Sequence, residues 1–301
     1  MAGHAAEARA TGALSILPAV AASARRPGMT APPNPSLTAV TAGLLKRWVD
    51  GWTATPNVDG LESGLRLLAK WRSQMLARTY VARHGVTVFQ GPFAGMAYLD
   101  QSTEGALIAR LLGCYEAELH PHLAAIAAEG LDCVIDVGCA EGYYAVGLAR
   151  QLPEVTVYAH DISDLARAAC EALAAKNGVA DRVIVGGEVR PEDFEAFAGR
   201  RVLVLVDAEG AELDVLRPDL SPALAAMSLI VETHDVFRPG ALATLVERFS
   251  PTHEITRVDS TGKIFEMPGW MKTMSHLDQL LATWEWREKP TPWLVMRPKV
   301  G

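Results

Sequence analysis

The chain has 301 residues, of which half are hydrophobic and 21% are charged, as in a globular protein with ample material for a core. Its formal net charge of −7 and the lack of a long Lys/Arg run weigh against a nucleic-acid partner, because phosphate binding needs clustered positive charge. No stretch is apolar and long enough to span a bilayer, so we expect no membrane partner either. Four scattered cysteines form no CxxC pair, and we expect them to be reduced.

The N-terminal part is predicted to be a disordered tail followed by a helical cap region. Residues 1–36 are rich in Ala, Pro, Ser and Gly, which is typical of disorder. The apolar segment Ala13–Ala24 lacks the basic start of a signal peptide, so we expect a cytoplasmic protein. Over residues 37–128, apolar side chains recur at helical spacing from Leu44 to Trp71 and from Ile108 to Leu119. An extended piece, Val86–Phe93, lies between these helices.

From residue 129 to residue 301, short apolar runs alternate with helical stretches. The runs are apolar at consecutive positions, as expected for strands that are covered on both faces. We therefore predict an α/β fold: a doubly wound, Rossmann-like, mostly parallel sheet of seven strands with helices on both faces. The predicted strands are Cys133–Val137, Thr156–His160, Val183–Val185, Val202–Val206, Leu229–Glu232, Glu254–Val258 and Trp293–Met296.

The strongest motif is the Gly-rich turn Gly138-Cys139-Ala140-Glu141-Gly142, which follows Asp136 at the end of the first strand. Glycine lets a ligand approach the backbone, and the next helix begins with free N–H groups. The GxGxxG order of a dinucleotide site is absent. The carboxylates of Asp136 and Glu141 would repel a pyrophosphate but suit a cationic ligand such as S-adenosylmethionine (SAM). The alternative interpretation is a tight turn that binds nothing.

Two further acids follow the neighbouring strands. Asp161 ends the second strand, close to the interval at which an acid contacts ribose hydroxyls in nucleoside-binding folds. Its alternative role is to cap the next helix. Glu188 follows the third strand, where it could accept a hydrogen bond from the adenine amino group, or simply lie in a loop.

Candidate catalytic residues follow the fourth and fifth strands. Asp207 begins the segment Asp207-Ala208-Glu209-Gly210-Ala211-Glu212, and we place it both beside the cofactor and at the reacting centre. His234 could accept a proton from a hydroxyl nucleophile, since its reference pKa is near neutrality. A metal is not expected. If one binds, the alternative ligands are Asp207, Glu232, His234 and Asp235, whose oxygen and imidazole groups suit Mg²⁺ or Mn²⁺.

Taken together, these segments resemble the motifs of class I SAM-dependent methyltransferases, and especially the FkbM-like group, over residues 130–300. That group has a similar D-x-E-G-x-E segment after its fourth strand. The resemblance implies transfer of a methyl group, commonly to an oxygen of a sugar or secondary metabolite. It places Asp136, Gly138 and Gly142 against the methionine part of the cofactor. His160-Asp161 departs from the Phe-Glu of many relatives.

The sequence therefore predicts a SAM-dependent O-methyltransferase that acts on a small hydroxylated acceptor, and a homo-oligomer remains open. The alternative function is a non-catalytic cofactor-binding or scaffold protein. An NAD-dependent oxidoreductase is disfavoured by the missing dinucleotide fingerprint. Tryptophans in the C-terminal part could stack on an acceptor ring, although we favour core positions for them: Trp270, Trp284, Trp286 and Trp293.

Overall fold

The computed structural model describes residues 36–51, 57–100 and 105–299. The tail predicted for residues 1–36 lies outside this part of the chain, except for Ser36. Within the described ranges, no helix has the length and apolar character that a membrane crossing requires. All four cysteines are buried and free in this structure.

The region before the sheet is helical, as the periodicity predicted. It contains α1 (Leu37–Asp50), α2 (Val58–His84), α3 (Leu107–Leu112) and α4 (His120–Ala128). Side chains of Ser36 and Asn57 cap α1 and α2 by accepting backbone N–H groups. The long helix predicted from Ile108 ends at Gly113, which has a φ of +73°. Glycine adopts this left-handed conformation without the steric cost that other residues have.

Seven strands form one sheet, in the spatial order β3-β2-β1-β4-β5-β7-β6. Neighbouring strands from β3 to β5 are parallel, and only β7 runs in the opposite direction. The strands are β1 (Cys133–Val137), β2 (Thr156–His160), β3 (Val183–Gly186), β4 (Val202–Val206), β5 (Ser228–Glu232), β6 (His253–Val258) and β7 (Trp293–Pro298). The helices of this part are α5 (Tyr143–Gln151), α6 (Asp164–Lys176), α7 (Glu212–Val215), α8 (Ala241–Phe249) and α9 (His276–Thr283), with a 3-10 helix at Pro191–Phe197.

Two apolar clusters lie on the two faces of the sheet. Alternate residues of a strand point to opposite faces, so Val134 joins one cluster while Cys133 and Ile135 join the other. The first cluster also contains Tyr80 and Leu111 from the N-terminal helices. The doubly wound α/β fold is thus confirmed, and α2, α3 and α4 share the core on one face of its sheet.

The strand order reverses between β1 and β4. From β1 the chain proceeds outward through β2 and β3, and it then returns to place β4 on the other side of β1. In open α/β sheets, ligands bind in the crevice outside the carboxyl ends of the strands at such a switch point. Register places Val137 beside both His160 and Val206, so the residues that follow these three strands meet at one edge.

Candidate functional site

The Gly-rich turn lies at the switch point and needs its glycines. Gly138 has a φ of +82°, and a Cβ there would lie 1.8 Å from the carbonyl oxygen of Asp207. Gly142 has a φ of +90°, and a Cβ there would lie 2.7 Å from Sγ of Cys170. The two glycines therefore let the turn lie directly against β4 and α6.

Asp161 holds this turn in place. Its Oδ2 accepts the backbone N–H of Ala140 at 3.0 Å, and its Oδ1 accepts the N–H of Ser163 at 2.8 Å. Ala140 has a φ of +47°, which is strained for a residue with a Cβ. The residue that caps α6 is Ser163, not Asp161, because the hydroxyl of Ser163 accepts the N–H of Ala166 at the start of the helix. Asp161 is half-buried beside the turn.

Glu141 has another role than the sequence suggested. Its side chain is fully buried, accepts the hydroxyl of Tyr98 at 2.5 Å, and has Nη1 of Arg110 within 3.3 Å. Arg110 therefore compensates the negative charge of Glu141, which the sequence predicted to face a cationic ligand. The acidic character of the turn comes from Asp136. The carboxylate of Glu141 ties the turn to the N-terminal region rather than presenting a charge to a ligand.

Asp136 is buried at the end of β1, with 4% of its surface exposed. Its Oδ2 has no hydrogen-bond partner among the described residues. Burial, reinforced by the nearby charge of Asp207, raises the pKa of Asp136 to about 7. The carboxyl group thus ionises in the neutral range, where a cation beside it would favour the charged form.

His234, after β5, is held by a carboxylate from the segment after β4. Glu212 Oε1 lies 2.6 Å from Nδ1 of His234, and both side chains are buried. Nε2 then faces Asp207 Oδ1 and Glu209 Oε2, each 3.6 Å away. Burial works to lower the pKa of His234, but the hydrogen bond that its Nδ1–H donates to Glu212 and the charges of Asp207 and Glu209 raise this pKa overall. The two predicted catalytic residues, Asp207 and His234, therefore lie together.

Three of the four residues in the alternative metal set converge. One ligand atom each from Asp207, Glu232 and His234 lies within 4.8 Å of the others. Asp235 is not part of this group, because its two carboxylate oxygens accept the backbone N–H groups of Gly240 and Leu242 at the start of α8. It acts as a helix cap, a common role for an Asp at this position.

A buried ionic network borders the crevice, and its central residue, Arg287, was not among the predicted site residues. The guanidinium of Arg287 pairs with Glu116, Glu232 and Glu285. Lys263 extends the network by pairing with Glu285 and Glu118. Arg287 belongs to no motif and to no regular element, so neither spacing nor periodicity could have identified it.

The predicted cap is placed only in part beside the site. Glu116, which has a φ of +49°, accepts the hydroxyl of Tyr144 and pairs with Arg287. Tyr115 is close enough to Asp207 for the carboxylate to contribute to its raised pKa, for which burial is the main cause. Phe93, at the end of the extended piece in the same region, packs into the core against Tyr143, with ring centroids 5.2 Å apart.

The structure also places Glu188, the predicted adenine contact, and two of the C-terminal tryptophans. Glu188 is exposed in the loop after β3. Trp293 is buried in the core as favoured, whereas Trp284 lines a cavity of about 660 Å³. Arg287 also lines this cavity, which therefore lies beside the ionic network.

No protein-family model matches the sequence, and no curated protein matches it either. Among solved structures, the chain is similar to a human methyltransferase 10 domain containing protein, with a TM-score of 0.44 and 12% identity over 76% of this chain and 97% of that one. It is similar to the O-methyltransferase TomG from Streptomyces achromogenes in complex with SAM, with a TM-score of 0.41 and 15% identity over 85% and 99% of the two chains. An O-methyltransferase from Bacillus cereus in complex with S-adenosylhomocysteine (SAH) gives a TM-score of 0.39 and 13% identity over 85% and 97%. These neighbours are methyltransferases, but likenesses so distant carry no inference about activity, and membership of the FkbM-like group stays a prediction.

Proposed function

We propose that this protein binds SAM at the turn Gly138–Gly142 and transfers its methyl group to a hydroxyl oxygen of a small molecule. The observation that carries the proposal is the buried Oδ2 of Asp136, which lacks a hydrogen-bond partner in the described chain. Leaving a buried polar atom unpaired costs about 1–3 kcal/mol or more. A ligand ammonium group supplies the missing donor and the missing positive charge, whereas a pyrophosphate would be repelled.

The other crevice residues fit the rest of this cofactor. The positive φ angles of Gly138 and Gly142 let a ligand approach the turn. Asp161 is anchored to the turn through Ala140 and retains lone pairs that can accept ribose hydroxyls. Glu188, exposed beyond β3, has room to accept the adenine amino group. The position of the turn supports the same assignment, since it lies where the strand order reverses between β1 and β4, and ligands of open α/β sheets bind at such a switch point.

We further propose that Asp207 and His234 form the reacting centre. When bound, SAM supplies a methyl group on a sulfonium, which passes to the acceptor oxygen while a thioether is left behind. Glu212 accepts the N–H of Nδ1 in His234, so Nε2 is oriented toward the crevice and can take the proton of the hydroxyl. Alignment of the reacting groups between β1, β4 and β5 can supply about 7–11 kcal/mol of the barrier reduction.

The acceptor is proposed to be a hydroxylated sugar or secondary metabolite that enters from the cavity beside Arg287. The cavity combines the ring of Trp284 with polar groups such as Ser260 and Thr261. An aromatic face and hydroxyl groups are the partners that a sugar or phenol ring uses.

Two experiments test the function. Titration calorimetry with SAH should show binding of one ligand per chain, and no binding at millimolar ligand to the folded protein would refute the cofactor. Incubation with SAM and a panel of hydroxylated metabolites should then produce an acceptor heavier by one methylene, detected by mass spectrometry. Tight SAH binding without turnover across the panel would favour the non-catalytic alternative.

A further inference from the structure

His160, the last residue of β2, lies between the two segments that we assign to opposite ends of the cofactor. It pairs with Val137 of β1 on one side and with Gly186 of β3 on the other. Its carbonyl oxygen accepts the backbone N–H groups of Gly138 and Cys139, at 2.8 and 3.0 Å. The backbone of His160 therefore holds the start of the Gly-rich turn, on the methionine side of the proposed site.

The side chain of His160 binds the loop that follows β3, on the adenine side. Nδ1 of its imidazole lies 3.1 Å from the carbonyl oxygen of Gly187. Because a carbonyl oxygen can only accept a hydrogen bond, Nδ1 carries the hydrogen and donates it. The backbone N–H of Asp161 donates to the carbonyl oxygen of Gly186 at 3.2 Å. Two successive residues at the end of β2 thus bind two successive carbonyl groups of the loop.

Gly186 provides the space that the imidazole occupies. A Cβ on Gly186 would lie 2.5 Å from Cε1 and 2.6 Å from Nδ1 of His160, which is closer than a Cβ approaches other atoms. The φ of Gly186 is not in the left-handed region, so its backbone conformation does not require glycine. The imidazole is therefore the reason that a side chain does not fit at this position.

This hydrogen bond restricts a loop that has few other restraints of its own. Gly186 and Gly187 are successive glycines, and glycine has the largest backbone freedom of all residues. The next side chain, that of Glu188, is exposed, whereas Val189 is again buried. The position of Glu188 therefore depends on the buried Val189 on one side and on the contact between Gly187 and His160 on the other.

We propose that His160 is a positioning residue that fixes Glu188 against the base of the cofactor and so makes the site selective for adenine over hypoxanthine. This inference rests on the proposed binding of SAM. The amino group of adenine can donate to the carboxylate of Glu188. Hypoxanthine has a carbonyl oxygen in the same place, and two acceptors that face each other repel and leave both without a donor.

The test compares, by titration calorimetry, the affinity for SAH with that for S-inosylhomocysteine, in which hypoxanthine replaces adenine. The wild type should bind SAH more tightly by about tenfold or more, as expected for a lost hydrogen bond to a charged group. His160→Ala should reduce this ratio by about threefold or more, because Glu188 is no longer held in place. His160→Asn should keep the ratio within about twofold, since its amide nitrogen occupies the position of Nδ1 and can donate to Gly187.

Two further variants show whether the effect passes through the loop. Gly186→Ala should displace the imidazole and reduce the ratio as His160→Ala does. Gly269→Ala is the matched control, because a Cβ there has no heavy atom within 4 Å and the residue lies outside the site. In a Glu188→Ala background, His160→Ala should change the ratio no further, since the two residues act in series. Thermal unfolding of each variant shows whether it is folded.

The outcomes separate this role from the cofactor itself. If the wild type binds SAH and His160→Ala leaves the ratio unchanged, the role of His160 is refuted and the cofactor stands. A wild-type ratio near one also refutes the adenine selectivity alone. Equal losses in His160→Asn and His160→Ala would show that the imidazole fills space and does not act as a donor, which overturns the role as well. If the wild type binds neither ligand, the cofactor is refuted and this inference with it.

Discussion

Asp136 shows at the scale of one residue how a buried carboxylate connects ligand binding to pH. Burial and the charges of Asp207, Asp161 and Glu116 raise its pKa to about 7, against the opposing hydrogen bond from the Ala145 backbone N–H. In the ligand-free protein, the protonated form of Asp136 is therefore favoured below about pH 7. The carboxyl group of Asp136 makes its full contribution to stability below about pH 4, which is the pKa of an Asp in the unfolded chain. That contribution is lost as the pH rises through about 7, the pKa of Asp136 in the folded protein.

The affinity for SAH should depend on pH in the opposite sense to the stability contribution of Asp136: it should rise with pH. A ligand ammonium group pairs with the ionised carboxylate of Asp136, so SAH affinity should be constant above about pH 8 and fall about tenfold per pH unit below 7. Calorimetry with SAH between pH 5.5 and 8.5, values chosen to bracket the pKa of about 7, measures this dependence. Asp136→Asn cannot ionise and should bind weakly at every pH in the series. A wild-type affinity that stays flat through pH 6 would contradict the assigned contact.

Asp161 is the second residue whose role can be measured alone. Asp161→Ala removes the acceptor of the Ala140 N–H as well as the proposed ribose contact, so SAH affinity should fall by about 10–100-fold, as expected for about 1.5–3 kcal/mol. The neighbouring Asp164→Ala is the control, since that side chain is 94% exposed and, within the described part of the chain, pairs with Arg167 of α6. Unchanged SAH affinity in Asp161→Ala would remove the residue from the cofactor site.

At the scale of the element, the turn after β1 depends on how closely it approaches β4. Gly138→Ala would place a Cβ 1.8 Å from the Asp207 carbonyl oxygen and would require a left-handed φ, which costs about 1–2 kcal/mol before the clash is counted. We expect a lower melting temperature and loss of SAH binding. Gly187→Ala is the matched control, because a Cβ there has no heavy atom within 4 Å. Equal melting temperatures for the two variants would show that the close approach is unimportant.

The strands and the residues that follow them were largely predictable from the sequence. The bounds of β1 and β4 were predicted to the residue, since both are short runs of buried residues covered on two faces, in which Asp136 of β1 is the one polar residue. Crevice residues such as Asp207 and His234 were found because parallel strands end at a common edge. The partner of Glu141 could not be found in this way: Tyr98 is 43 residues away in the chain, and only packing brings it near. Arg287 is 171 residues from Glu116 and lies outside every periodic segment.

At the scale of the whole molecule, the network around Arg287 joins the region before β1 to the end of β5. Arg287→Ala would leave Glu116 and Glu232 buried without this counter-charge, and we expect a loss of about 3–5 kcal/mol in the free energy of unfolding. Urea denaturation measures the loss. Arg257→Ala removes an exposed pair with Asp259 and should lower the free energy of unfolding far less, because water screens that pair. Similar losses for both variants would mean that the buried network does not stabilise the fold.

The shared core extends this connection to the entire described chain. Tyr80 and Leu111 from the N-terminal helices lie in one apolar cluster with Val134 and Val146 of the sheet region. We therefore expect a single unfolding transition in differential scanning calorimetry. SAH at about 100 times its dissociation constant adds about 2.7 kcal/mol to the free energy of unfolding. The whole transition should then move upward by about 5–10 °C. Two transitions, of which SAH moves only one, would show that the N-terminal helices unfold independently of the sheet, because a shared core cannot be stabilised in one half alone.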